Sequence, residues 1–224
     1  MQHSNFARLM AMAACGLALT SIPAQAQWYA GATIGSSDAR LDEGANAASR
    51  FTAAGFSSAA TSTDKRDTAG RVFGGYQVKP WLGIELGYTD LGRYQLQTTA
   101  GAGSAGVGSL TNEIKIKGAE AAIVGRWSAS EQLAVLARVG AFDGDAKSFM
   151  QSSGSVSLLR ADTANYRERE TIAVFGLGAE YRLTKRVWLR ADWSHYDRVN
   201  TIDALGVSRE SNIDLYSIGV VARF

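Results

Sequence analysis

Four acids, Glu85, Glu120, Glu180 and Asp192, and four arginines, Arg71, Arg126, Arg138 and Arg190, are set singly into stretches that are otherwise apolar or glycine-rich. Acids and bases that are matched in number and spread over separate segments suit mutual neutralisation better than proton transfer. Buried charges persist when they are paired and hydrogen-bonded. The expectation is therefore an interior ion-pair network centred on Glu85, Arg138, Glu180 and Arg190, with Glu120, Arg126 and Asp192 beside them. A second chemistry is suggested by Ser194 and His195, which have Asp192 and Asp197 close by, since a serine activated by a histidine is a hydrolase arrangement. On a strand, however, consecutive side chains point to opposite faces, so Ser194 and His195 are not expected to act on one another. The run Gly101-Ala102-Gly103-Ser104-Ala105-Gly106 spells a dinucleotide-binding string, but neither a crossover helix nor a βαβ unit surrounds it. A loop is the expected reading, and no cofactor is implied. The acids alternate with bases along the chain, so no metal cluster is expected either.

Period-two alternation dominates the segments that must carry these residues. Eight of them read as strands of about ten residues, the length a tilted strand needs to cross a bilayer. They are 28–37, 68–78, 81–90, 116–127, 132–142, 171–182, 187–196 and the terminal "NIDLYSIGVVARF". The connections alternate long and short: 38–67, then Lys79-Pro80, 91–115, 128–131, 143–170, 183–186 and 197–211. In an up-and-down meander this sends every tight turn to one end and every long loop to the other, the asymmetry of a transmembrane barrel. The long segments are rich in Ala, Ser, Thr and Gly and are expected to form loops.

Residues 1–26 read as a secretory leader. Arg8 precedes an apolar run, Pro23 breaks it, and Ala24-Gln25-Ala26 supplies a small-residue cleavage site, so the mature domain is expected over 27–224. The single Cys of the chain, Cys15, lies in the leader, which removes disulfide and thiolate chemistry from the exported form. Its one basic residue, Arg8, leaves with it, so the 23 basic and 21 acidic residues of the whole chain come still closer to balance. A near-neutral chain without a concentrated basic face argues against a nucleic-acid partner.

Alternation alone does not tell a membrane barrel from a soluble one; the difference is which parity faces water. Arg71, Glu85, Glu120, Arg126, Arg138, Glu180, Arg182, Arg190, Asp192 and Arg223 all fall on the parity opposite to the long apolar residues of their strands. Aromatic placement turns the balance toward the membrane. Trp28, Trp81, Trp127, Trp188, Tyr76, Tyr181 and Phe224 are expected in a belt at the short-turn end, and Tyr88, Phe142, Trp193 and Tyr196 in one at the other. Hydrocarbon tolerates no open sheet edge, so the terminal strand is expected to pair with 28–35 and close the ring.

"ELGYTDLGRY" and "DLYSIGVVARF" resemble the transmembrane domain of outer membrane protein A and its small eight-stranded relatives. The resemblance implies an all-β, eight-stranded antiparallel up-and-down barrel, non-enzymic, in the outer membrane of a Gram-negative bacterium. It also implies that Phe224 is part of a signal read by the barrel-assembly machinery, although Ala222 stands where the family commonly has another aromatic. Interior networks of this family can act as gates, so a small gated pore is one alternative. A lipid A modifying hydrolase is another: lipid A deacylases are of similar size and use a His and a Ser two apart on one strand, whereas here Asp197 follows His195 at that spacing. Outer-membrane lipids, including lipopolysaccharide phosphates met by Arg93, Lys115, Lys117, Lys147 and Arg198, are the expected partners of a monomeric protein.

Overall fold

The computed structural model describes residues 28–40, 55, 57–101, 106–155, 163–202 and 208–224. The expected leader and most of the 101–106 string lie outside these residues. Nine strands follow in order: β1 Trp28–Ala39, β2 Ala59–Asp64, β3 Arg66–Lys79, β4 Leu82–Ala100, β5 Gly108–Ser128, β6 Leu133–Gly154, β7 Thr163–Arg182, β8 Val187–Ile202 and β9 Ser208–Arg223. All pairings are antiparallel, and β4 pairs with β3 on one side and β5 on the other, which makes the sheet a closed ring. The ring has eight walls. Strands β2 and β3 are one wall interrupted at Lys65, because both pair with β4, Asp64 opposite Gln95 and Gly70 opposite Asp90.

The seam lies where expected. β1 pairs with β9 from Tyr29↔Arg223 to Ala39↔Ile213, and the Phe224 amide donates to the Trp28 carbonyl at 3.0 Å. The tight turns at this end are held by hydroxyls, which accept backbone N–H groups and so replace ladder bonds. Ser130 Oγ accepts from the amides of Gln132 and Leu133, and Thr184 Oγ1 from those of Arg186 and Val187.

The strands are much longer than the sequence pattern predicts. β6 has 22 residues and β5 has 21, about twice what a tilted span uses. Residues 91–100, 108–115, 143–154 and 163–170, expected in loops, continue the walls instead. The reason is that inward positions there, such as Leu96, Leu110, Ile114 and Met150, are apolar and bury against one another. Two bulges keep this possible. At Leu91, where Gly92 has φ +89°, the inward parity of β4 changes from Glu85 and Thr89 to Tyr94, Leu96 and Thr98. A left-handed conformation suits glycine, which has no Cβ to clash. A second bulge between Tyr196 and Val199, with Arg198 at φ 53°, does the same for β8.

The described pairing of β7 with β8 ends at Val174↔Tyr196, although β7 continues upward to Thr163 along β6 and β8 to Ile202 along β9. Above that point, among the described residues, β7 and β8 share no backbone pair.

Candidate functional site

Outward positions in the lower half are apolar and exposed: Ile84, Leu86 and Tyr88 on β4, Val135 and Val139 on β6, Phe175 and Leu177 on β7, and Tyr216, Ile218 and Val220 on β9. Below them Trp28, Trp81, Trp127, Tyr181 and Phe224 are exposed, as amphipathic rings at a membrane interface should be. Three aromatics assigned to the belts from sequence belong inside. Trp188 shares the parity of Arg190, Phe142 that of Arg138 and Tyr196 that of Ser194, and all three are buried in the lumen. Position along a strand had suggested a belt, but parity decides the face.

Inside, Glu85, Glu180 and Arg190 are 0–1% exposed, and Arg71, Glu120 and Arg138 are also buried. Glu85 from β4 is the hub. It accepts from Arg190 Nη1 at 2.6 Å, from Arg71 Nη2 at 2.8 Å and from the Tyr29 hydroxyl at 3.2 Å. Arg190 also binds Asp192 at 2.8 Å, and its Nη1 stands 3.8 Å from Glu180. Towards the turns, Glu180 accepts from Arg223 at 2.7 Å and Arg126 at 3.3 Å. Towards the other end, Glu120 lies 2.8 Å from Arg138 and 3.2 Å from Arg71, and accepts from Tyr196 at 3.1 Å and Thr89 at 3.2 Å. Arg138 donates to the Ser194 hydroxyl. Thus Arg71, placed outside the expected centre, joins Glu85 to Glu120, while Arg138 belongs to the Glu120 layer and does not touch Glu85 or Glu180.

Ring faces complete the neutralisation. Phe73 carries the Arg71 and Arg190 guanidiniums 4.4 and 4.8 Å from its centroid, and Trp188 carries Arg126 and Arg223 at 4.9 and 5.3 Å. Such cation–π contacts strengthen when water is excluded. Small residues make the space. A Cβ at Gly75 would sit 2.2 Å from the Tyr29 ring, and one at Gly178 would sit 2.4 Å from Asp192 Oδ1. Tyr29, Phe73 and Thr89 escape the sequence reading because they carry no charge, whereas Ser194 and Tyr196 enter it in other roles, as a hydrolase candidate and a belt aromatic. Their shared parity with the ionised residues was the available signal.

Ser194 is inward and engaged by Arg138, whereas His195 is outward, its Nδ1 2.8 Å from Asp214 Oδ1. Asp214 also accepts from Trp193 Nε1 at 3.2 Å and Arg40 at 3.1 Å. The two residues of the suspected hydrolase pair are thus on opposite sides of the wall. Among the described residues no group of His, Cys, Asp and Glu has the arrangement of a metal site.

A closed antiparallel ring that is apolar outside and ionised within defines a membrane-embedded, lipid-contacting β-barrel. Comparison with known proteins carries this further. The OmpA-like transmembrane domain family matches residues 23–224, and the chain belongs to that family, which places it in the Gram-negative outer membrane. It is similar to outer membrane protein A of Klebsiella pneumoniae, with 31% identity over 209 residues, covering 92% of this chain and 53% of the relative. It is also similar to outer membrane protein A of Salmonella typhi, with 26% identity over 226 residues, covering 100% of this chain and 56% of the relative. The chain therefore spans about half the length of the curated relatives it matches. Among solved structures, Neisserial surface protein A superposes with TM-score 0.55 at 14% identity, covering 88% of this chain and 97% of that one. The outer membrane protease OmpT of Escherichia coli superposes with TM-score 0.50 at 8% identity, covering 92% and 99%. These two likenesses concern the fold.

Proposed function

We propose that this barrel is a non-enzymic, sealed structural element of the outer membrane that presents a surface to the cell exterior. What supports the reading is that buried, mutually paired side chains recur at successive levels inside the ring, from Trp188 through the Glu85 and Glu120 layers to Phe142, Tyr94 and Leu96. Eight walls give an interior that side chains can fill. In this reading the ion pairs fix strand register and neutralise one another, and the apolar layers above them close the path a second time. The separation of Ser194 from His195 supports a role without hydrolysis. Phe224, exposed at the seam, serves the assembly machinery as the aromatic that follows the closing strand. Lipopolysaccharide is the lipid partner, and a monomer is sufficient because the ring leaves no unpaired edge within the hydrocarbon.

Planar-bilayer recordings of the wild type and Arg138→Ala test this. Both are expected to stay closed, because the Phe142 and Tyr94 layers do not depend on Arg138. Steady conductance of the wild type would show an open lumen. Conductance that appears only in the variant would make the Glu120–Arg138 pair a gate.

A further inference from the structure

The outer face of the upper half carries a charge pattern that the sealed-lumen reading leaves unused. Strand register sets four basic residues directly side by side: Arg93 opposite Lys115, Lys115 opposite Lys147, and Lys147 opposite Arg167. They form one row across β4, β5, β6 and β7. Like charges directly opposite one another on a sheet face are destabilising, and this row repeats the arrangement three times in succession. Its ends are partly neutralised, because Arg93 lies 3.3 Å from Glu113 and Arg167 is bound by Asp145 at 2.7 Å. Its middle is held more loosely: Asp145, two residues from Lys147 on the same face of β6, attracts it electrostatically, but among the described residues neither Lys115 nor Lys147 closes an ion pair or hydrogen bond, and both reach solvent. The next row towards the membrane adds Lys117 and Arg169, flanking Asp145.

The height of the row is fixed by the same register. Tyr88, the last exposed apolar residue of β4 below its bulge, stands opposite Ala119, and Ala119 opposite Asp143. Only the Lys117–Asp145–Arg169 row separates that level from the Lys115–Lys147 row. Two rows correspond to about 13 Å along a strand, and less along the membrane normal once the strand is tilted. This is headgroup depth. The far side of the barrel differs: directly above Tyr216, the uppermost exposed apolar residue described on β9, His195 faces Asp214, Asp214 faces Asp38, and Asp38 faces Arg66. Arg198, grouped with the rim bases from sequence, lies there and is paired with Asp197 at 3.2 Å.

We infer that the Arg93–Lys115–Lys147–Arg167 row is a binding site for the phosphorylated headgroup of an outer-leaflet glycolipid, on one side of the barrel only. Its phosphate oxygens accept from Lys115 and Lys147 and relieve their repulsion, while its acyl chains lie against Leu86, Tyr88 and the neighbouring apolar wall. The site rests on the outer-membrane reading and deepens it.

The experiment uses the full barrel, folded in detergent micelles and titrated with bis-phosphorylated, monophosphorylated and dephosphorylated lipid A. The variant is Lys115→Gln/Lys147→Gln, and Lys185→Gln/Arg186→Gln at a turn on the opposite end makes the same charge change elsewhere. Wild type and control are expected to bind the bis-phosphorylated lipid roughly 10- to 30-fold more tightly than the row variant. All three should bind the dephosphorylated lipid alike, and millimolar inorganic phosphate should not displace the lipid. Equal affinity of row variant and wild type, or equal loss in the control, overturns the site. Displacement by free phosphate overturns the lipid as its occupant. A wild type that shows no faster-migrating unboiled band on a gel would instead fail as a membrane barrel, so the two readings fail separately.

Discussion

The lower and upper halves of this barrel share one set of strands yet obey opposite rules. Below Tyr196 the outward positions are Leu86, Val135, Leu177 and Ile218, and the inward ones are Glu85, Arg138, Glu180 and Arg190. Above it the outward positions are Arg93, Gln95, Gln97 and Lys147, and the inward ones are Tyr94, Leu96, Ile114 and Met150. The backbone solution is the same in both, a hydrogen-bonded antiparallel wall. What changes is the solvent. Lipid rewards apolar atoms outside and leaves the ionised groups to neutralise one another within, whereas water drives apolar atoms inward. Tyr196 stands at the junction. Its hydroxyl donates to Glu120 at 3.1 Å, and its ring meets Phe142 edge-on, with centroids 5.1 Å apart.

The contrast is sharpest at the hub of the lower half. Glu85→Ala leaves Arg71 and Arg190 buried without their shared carboxylate and is expected to cost about 3–5 kcal/mol, read from urea unfolding in lipid bilayers. A loss below about 1 kcal/mol would mean that water reaches the lumen and that the lower half is not dry. The outer surface should show the inversion next. Leu86→Arg faces lipid and is expected to cost roughly 2–4 kcal/mol, while Gln97→Arg faces water on the same strand and should change stability by no more than about 0.5 kcal/mol. Equal costs for the two would erase the proposed boundary between lipid and water on β4. The junction is expected to lose less than either Glu85→Ala or Leu86→Arg. Tyr196→Phe keeps the ring on Phe142 and removes one bond to a charged acceptor, for about 1.5–3 kcal/mol. A neutral Tyr196→Phe would show that the polar and apolar layers are independent.

The lower half was legible in the sequence because its strands alternate without interruption. Glu85, Glu120, Arg138, Glu180 and Arg190 announce the inner face by charge, and Trp81 and Trp127 announce the interface. The partners of each charge were less legible, since parity places a residue on a face but says nothing of height. Arg138 was expected with Glu180 and stands instead with Glu120, because the stagger of the ring sets levels that only register reveals. The upper half was missed for a different reason. The bulges at Leu91–Gly92 and at Asp197–Arg198 shift the inward set by one residue, so alternation counted across them cancels. On β5, by contrast, the inward set continues unbroken through Ile116, Ile114, Asn112 and Leu110. There the pattern was present, and the surrounding Ser, Thr and Gly concealed it.

The parting of β7 from β8 above Val174 and Tyr196 makes the molecule mechanically two objects. The lower part is a hoop, and a pull at any point on it loads many backbone bonds in shear. Above it, among the described residues, β7 is held by backbone bonds along one side alone, and a pull on its other side would peel its bonds to β6 one after another, like a zip. Force applied from outside the cell would thus be spent along that margin long before it could deform the hoop.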